Sequence, residues 1–128
     1  QDEYCFLTNG FDEICLQPHS RLAGVNEGDI AHNPELQVLT WGPKSGPGLI
    51  ATRDFSEVFA LGHWEYGKYT LAEEYERDMK KGMTNVPIPD NYFPHEDPKL
   101  VPLFAWRGHA NLLWRLWLNW VYQTTPYD

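Results

Sequence analysis

Residues 36–66 read LQVLTWGPKSGPGLIATRDFSEVFALGHWEY, and this stretch decides the fold. It contains three short apolar runs, at 36–41, 49–52 and 58–61. The segments between the runs are rich in Gly, Pro, Asp and Ser, which are residues that form turns. Short β-prone runs separated by turn residues are typical of an antiparallel meander. The sequence therefore predicts three consecutive strands, with a hairpin connection at 42–48.

The third run ends in Gly62-His63-Trp64-Glu65-Tyr66, which carries most of the functional signal. Loops at strand ends commonly display catalytic side chains. His63 and Glu65 are two positions apart, so in an extended chain they face the same side. A carboxylate beside an imidazole fixes its tautomer and stabilises the imidazolium that forms when a thiol or hydroxyl is deprotonated. The pair lacks a nucleophile, and on spacing alone a His and a Glu on a solvated loop are the commoner explanation.

Two helices are predicted after the strands. Thr70-Leu71-Ala72-Glu73 matches a capping box, and the helix that it begins runs to Lys80 or Lys81 and ends at Gly82. On this helix the ordinary interpretation of Arg77 is a solvated ion-pair partner. Residues 83–102 contain five prolines, which favours an extended loop. A second helix, at about 108–122, is apolar almost all round and should therefore be buried against other layers.

The region before the strands gives weaker signals. Residues 4–7 are apolar and partly β-prone, and Thr8-Asn9-Gly10 predicts a turn. The polar cluster His19-Ser20-Arg21 directly follows Pro18. It could line a cleft, but a turn whose Ser caps the next segment is the commoner explanation. Residues 23–34 are expected to form a surface connection.

Composition narrows the class of protein. At 128 residues, one domain is the expected size. The formal net charge of -8 argues against nucleic acid or an anionic membrane surface as a partner. No apolar stretch reaches the roughly 18 residues that a membrane span needs, and two cysteines do not make a disulfide framework, so a soluble, cytoplasmic protein is expected. The five His are scattered singly, and no metal site is predicted.

Several groups of residues, taken together and in order, resemble one family. They are Asn9-Gly10-Phe11-Asp12, Pro18-His19-Ser20-Arg21, Gly62-His63-x-Glu65-Tyr66, Thr70-Leu71-Ala72-x-Glu74-Tyr75-x-Arg77-Asp78, Asn91-Tyr92-Phe93-Pro94-x-x-Asp97-Pro98, Trp106-Arg107-x-His109-x-Asn111-Leu112-Leu113, Trp117-Leu118-Asn119 and Tyr122-Gln123-x-Thr125-Pro126-Tyr127. The pattern is similar to that of the homoserine O-acyltransferases, also called homoserine transsuccinylases, over essentially the whole chain.

The resemblance implies an α/β fold similar to the class I glutamine amidotransferases, which is flavodoxin-like. It also implies an enzyme of methionine biosynthesis in which a Cys takes an acyl group from acyl-CoA and passes it to the hydroxyl of homoserine. Acyl-CoA is then a co-substrate, and no other cofactor is implied. His63 matches the family's general base and Glu65 its orienting acid. Arg77 matches the residue that holds the amino-acid substrate, and Ser20 matches a position that influences substrate choice.

One part of the family pattern is missing from this sequence. The family's nucleophile lies in a Cys-Trp-Gly turn between a strand and a helix, and no such segment occurs here. Neither Cys5 nor Cys15 is followed by the small residues of such a turn. The resemblance therefore implies that residues 1–128 are the C-terminal part of a single acyltransferase domain. In isolation, this part is expected not to turn over acyl-CoA.

Several alternatives stay open at this point. The chain could be a non-catalytic domain that binds an amino acid or a partner protein. Within the enzyme interpretation, the donor could be succinyl-CoA or acetyl-CoA. The acceptor could be serine, which differs from homoserine by one methylene, worth only about 1 to 3 kcal/mol of discrimination. Members of the family commonly form homodimers, and the aromatic C-terminal helix would permit one here.

Overall fold

A computed structural model describes residues 5–127. In chain order, this part of the protein forms a 3-10 helix (Phe6–Thr8), α1 (Glu27–Ala31), β1 (Leu36–Gly42), β2 (Gly46–Thr52), β3 (Val58–Ala60), α2 (Thr70–Lys80), a second 3-10 helix (Pro94–Glu96) and α3 (Arg107–Thr124). The predicted α/β class is thereby confirmed. The chain divides into two compact units, the first containing residues 5–64 and 106–127, and the second residues 65–105.

The three strands form an antiparallel sheet in the order β1-β2-β3, so the predicted meander is correct. The β1–β2 turn ends at Gly46, whose φ of +69° favours glycine. Because β2 is the central strand, its neighbours cover it, and Leu49, Ile50 and Ala51 are buried. Beyond β3 one further backbone bond, from the Leu61 N–H to the Gly48 carbonyl (2.8 Å), extends the pairing with β2.

Aromatic side chains join the N-terminal segment to α3 within the first unit. The ring of Trp120 lies 4.7 Å from that of Phe6, and Phe6 lies 4.5 Å from Phe55. The Trp120 indole N–H also donates to the Phe55 carbonyl at 3.1 Å. A buried Trp generally needs such a partner for its N–H. The cluster therefore fixes α3 against the loop between β2 and β3.

The predicted α3 is present, but the expectation that it is buried all round is wrong. Ala110 and Leu113 are its buried residues. Trp114, Leu118 and Tyr122 are 44%, 57% and 64% exposed, and they are spaced four apart along one face. Residues at that spacing lie above one another on a helix, so packing on one side leaves the opposite stripe uncovered. The homodimer suggested for this helix stays a prediction.

In the second unit, the N-cap of α2 is one residue earlier than predicted. Tyr69 is the N-cap and Thr70 is already helical, with no side-chain cap hydrogen bond. The Glu73 N–H instead donates to the Tyr69 carbonyl at 2.9 Å, so the capping box is not formed. The C-terminal end is as predicted, because Gly82 follows with a φ of +71°.

The proline-rich segment of the second unit is held by Tyr92. Residues 83–102 are irregular apart from the 3-10 helix, as predicted, and the irregular segment continues to residue 105. Tyr92 is 2% exposed, its hydroxyl donates to the Lys68 carbonyl, and it accepts the Ala72 N–H at 3.3 Å. The Leu103 N–H donates to the Tyr92 carbonyl at 2.8 Å. The segment is thus tied to the start of α2.

The region before the sheet differs in part from the predictions. Residues 6–8 form a 3-10 helix instead of an extended segment, and Tyr4 lies outside the described residues. Gly10 has a φ of +83°, which confirms the predicted turn. The connection at 23–34 is largely exposed but contains α1, which Asn26 caps by accepting the Gly28 N–H at 2.9 Å. Across residues 5–127, no helix has the length and apolar character needed to cross a membrane.

We expect Leu113→Ala to lower the free energy of unfolding by about 2 to 5 kcal/mol, because the side chain is 5% exposed and its loss leaves a cavity. Leu118→Ala is the matched control on the same helix, and a change within about 0.5 kcal/mol is expected at that exposed position. Denaturant unfolding of the two variants measures both values. Equal losses would contradict the burial pattern of α3.

Candidate functional site

His63 is placed by a backbone hydrogen bond from a distant segment. Its N–H donates to the carbonyl of Pro18 at 2.7 Å. The next residue, Trp64, is 3% exposed, and its ring lies 5.9 Å from that of Phe11 in an edge-on arrangement. The loop that leaves β3 is therefore anchored on both sides of the His63 side chain.

Gln17 lies against two glycines beside this loop. Its side-chain Nε2 donates to the Gly48 carbonyl at 3.2 Å. A Cβ atom on Gly62 would lie 2.5 Å from the Gln17 Cδ, closer than real Cβ contacts allow. Segment 17–18 can thus approach the loop closely because position 62 has no side chain.

The cluster His19-Ser20-Arg21 continues from this segment. Burial, followed by the nearby positive charges of Arg21 and His63, lowers the pKa of His19. The His19 Nδ1 is buried without a hydrogen-bond partner, while Arg21 donates to the Ser45 carbonyl. Ser20 is exposed. The Arg21 guanidinium and the His63 imidazole therefore lie near His19, although on sequence grounds the cluster is more readily explained as a turn.

Glu65 is the first residue of the second unit and is exposed. Its predicted role as the acid that orients His63 stays a prediction.

Arg77 lies on α2 in the second unit, and its side chain is 54% exposed. Its Nε donates to the Asp78 carboxylate at 3.0 Å. This bond, the charge of Asp78 and then the charges of Glu74 and Tyr66 raise the pKa of Arg77. The acidic groups around the guanidinium are thus Asp78 and Glu74.

Glu74 was not singled out from the sequence, although it lies three residues before Arg77 and within the same motif. The Tyr66 hydroxyl donates to its Oε1 at 2.8 Å. Its Oε2 is buried without a hydrogen-bond partner. A buried carboxylate oxygen without a donor is costly, and it is a natural acceptor for a cationic group. The spacing of three between Glu74 and Arg77 on a helix was the available signal.

Cys15 does not have the surroundings of a catalytic thiol. Cys5 and Cys15 are both free. Burial and the nearby Asp12 raise the pKa of Cys15, which lowers its thiolate fraction at neutral pH. Among residues 5–127, no three His, Cys, Asp or Glu side chains group closely enough to hold a metal ion.

A cleft of about 480 Å³ lies between α1 and β1 in the first unit. Its lining includes Cys5, Glu27 and Arg53, and none of the predicted site residues borders it. A cleft of this size is often a candidate for a binding site. Here two of the predicted site residues lie elsewhere: His63 follows β3, and Arg77 is on α2.

The chain has clear relatives. Residues 1–127 match the family model described as homoserine O-succinyltransferase. A homoserine O-acetyltransferase of Bifidobacterium adolescentis is 95% identical over all 128 residues, which are 37% of that protein. A homoserine O-acetyltransferase of a Geobacillus species is 49% identical over 95% of the chain, and a homoserine O-succinyltransferase of Proteus mirabilis is 46% identical over 99% of it.

These matched regions are 40% of the Geobacillus protein and 41% of the Proteus protein, so the chain spans about two fifths of the length of its relatives. Because the family model covers nearly every residue, the match does not depend on one short motif. The chain belongs to the homoserine O-succinyltransferase family.

Proposed function

We propose that this chain carries the general base and the amino-acid-binding residues of a homoserine O-acyltransferase. The observation that carries the proposal is the family match over residues 1–127 together with His63 held at the end of β3. Acetyl-CoA is the proposed donor, because the 95% identical relative is named a homoserine O-acetyltransferase. The acceptor is the hydroxyl of homoserine.

The nucleophile is proposed to be a Cys outside these 128 residues. Two observations support this: the relatives are more than twice as long as the matched region, and the raised pKa of Cys15 disfavours its thiolate. Residues 1–128 then form the C-terminal part of a single acyltransferase domain, with the fold of the class I glutamine amidotransferases. The antiparallel meander and the flanking helices are the part of that domain that displays His63.

In the proposed reaction, His63 acts on both half-reactions. It removes the proton of the Cys thiol, and the resulting thiolate attacks the thioester carbonyl of acetyl-CoA. The CoA sulfur leaves and takes up the proton, which gives an acetyl-Cys thioester. His63 then removes the proton of the homoserine hydroxyl as its oxygen attacks that thioester. The Cys sulfur leaves and takes up this proton, which gives the O-acetyl ester of homoserine and restores the thiol and His63. Glu65 is proposed to orient the imidazole and to stabilise its protonated form.

The amino acid is proposed to bind through its two charged groups. The Arg77 guanidinium, although ion-paired with Asp78, is half exposed and has donors beyond the Nε that this pair uses. It would hold the α-carboxylate, for which a planar fork is well suited. The buried Oε2 of Glu74 would accept a hydrogen bond from the α-ammonium. Ser20 is proposed to influence which amino acid is accepted.

We expect His63→Ala to lower acyl transfer roughly 100-fold or more in the longest natural polypeptide that contains this chain, because general base catalysis is lost. Release of the CoA thiol from acetyl-CoA, with and without homoserine, measures both half-reactions. His32→Ala is the matched control, since His32 is exposed and lies in the segment after α1. Wild-type turnover by His63→Ala would refute the proposed base.

We expect Glu74→Gln to raise the KM for homoserine roughly 10- to 100-fold, because a charged hydrogen bond worth about 1.5 to 3 kcal/mol is weakened. The KM for acetyl-CoA should stay unchanged, and Arg77→Lys should behave in the same way. Glu76→Gln is the control on the same helix, because Glu76 is an exposed partner of Lys80 at 3.6 Å. An equal rise in KM for both substrates would exclude a specific role in amino-acid binding.

A further inference from the structure

The Gln17 side chain contacts Gly48 and Gly62 beside the loop that carries His63, and no catalytic role explains these contacts. We propose that Gln17 is a positioning residue for His63, holding the backbone of residues 61–63 through its contact with Gly48 and Gly62. The effect on catalysis rests on the proposed function of His63. The contact itself is independent of that function and can be measured separately.

The first support is the hydrogen bond at Gly48. The Gly48 carbonyl accepts the Leu61 N–H at 2.8 Å and the Gln17 Nε2 at 3.2 Å. A carbonyl oxygen has two lone pairs and can accept both. The first bond extends the β2–β3 pairing, and the second attaches Gln17 at the same point. Gln17 is therefore joined to the sheet where β3 gives way to the loop.

The second support is the space at the two glycines. A Cβ on Gly62 would lie 2.5 Å from the Gln17 Cδ and Nε2 and 2.6 Å from its Cγ. A Cβ on Gly48 would overlap the Gln17 Oε1 and lie 2.8 Å from the Thr40 Oγ1. Positive φ angles are found at Gly10, Gly46 and Gly82 but not at these positions. Gly48 and Gly62 are thus accounted for by the close approach of Gln17 and not by backbone conformation.

The third support is the residue that follows Gln17. Pro18 is buried, and its carbonyl accepts the His63 N–H at 2.7 Å. Proline has no N–H, so this carbonyl is its one backbone hydrogen-bonding group. Fixing the Gln17 side chain on one side of the loop places the Pro18 carbonyl on the His63 amide. The β3 strand is only three residues long, so pairing within the sheet contributes little beyond Leu61.

Positioning of this kind has a measurable value in catalysis. A general base must lie within hydrogen-bonding reach of the proton that it removes. A misplacement of about 1 Å can cost up to about 100-fold in rate. The Gln17 contact therefore affects turnover by fixing the backbone of His63, from which the imidazole extends. Gln17 itself does not contact the substrate.

The test uses the longest natural polypeptide that contains this chain and the variants Gln17→Ala, Gly62→Ala and the double variant. Amide hydrogen exchange at His63 reports the Pro18 bond directly and is expected to become faster in each variant. The kcat is expected to fall roughly 10- to 100-fold, with the KM for acetyl-CoA unchanged. Gln17→Ala and Gly62→Ala break the same contact. The kcat of the double variant should therefore be no lower than that of the slower single variant.

Two controls separate positioning from general destabilisation. Gly24→Ala adds a methyl group where no atom lies within 4 Å, and it should leave exchange and turnover unchanged. The amide of Leu113 on α3 should exchange at the wild-type rate in Gln17→Ala. Faster exchange at both amides would mean that Gln17 supports the fold as a whole and would overturn the proposal.

The remaining outcomes also decide the question. An unchanged rate of amide exchange at His63 in Gln17→Ala would show that Gln17 does not hold the His63 backbone. Faster exchange with a wild-type kcat would show that this contact has no effect on catalysis. If His63→Ala retains full turnover, the proposed function fails, whereas the exchange result still decides the contact. If Gly62→Ala does not fold, Gln17→Glu replaces it. This variant keeps the side-chain volume and removes the donor, so it should reproduce the faster exchange.

Discussion

The hydrogen bond from the His63 N–H to the Pro18 carbonyl joins two segments that lie far apart in the sequence. The position of His63 depends on this hydrogen bond, because β3 ends at Ala60. The last backbone bond to β2 is made by the next residue, Leu61. Trp64 is buried on the other side of His63. A strand of three residues would not by itself fix the position of this loop. Contacts from outside the sheet therefore determine the position of His63, the proposed base.

In the proposed function, the second unit binds a molecule that carries two opposite charges. Glu74 and Arg77 lie three residues apart on α2, so they share one face of the helix. One supplies a buried acceptor oxygen and the other a half-exposed guanidinium. An amino-acid zwitterion presents an ammonium and a carboxylate with a similarly short separation. A carboxylate and a guanidinium on one rigid helix can thus recognise both groups without a flexible loop.

Features that depend on neighbouring residues could be predicted from the sequence, and features that depend on distant contacts could not. The meander, the end of α2 at Gly82 and the extent of α3 follow from local patterns. The predicted capping box was wrong because Tyr69 is the N-cap and Thr70 is already helical, so the Thr70 hydroxyl is not at the capping position. The exposed face of α3 and the Gln17 contact depend on packing between segments. Residue types alone do not report such packing.

The charges in the first unit help to decide whether Cys15 could be the nucleophile. A catalytic thiolate is stabilised by cationic neighbours, whereas burial and the nearby carboxylate of Asp12 raise the pKa of Cys15. The first unit also contains the Arg21 guanidinium, which lies close to the imidazole of His19. A thiolate would be favoured beside a guanidinium and is disfavoured at Cys15. These charges thus support the proposal that His63 serves a thiol outside these 128 residues.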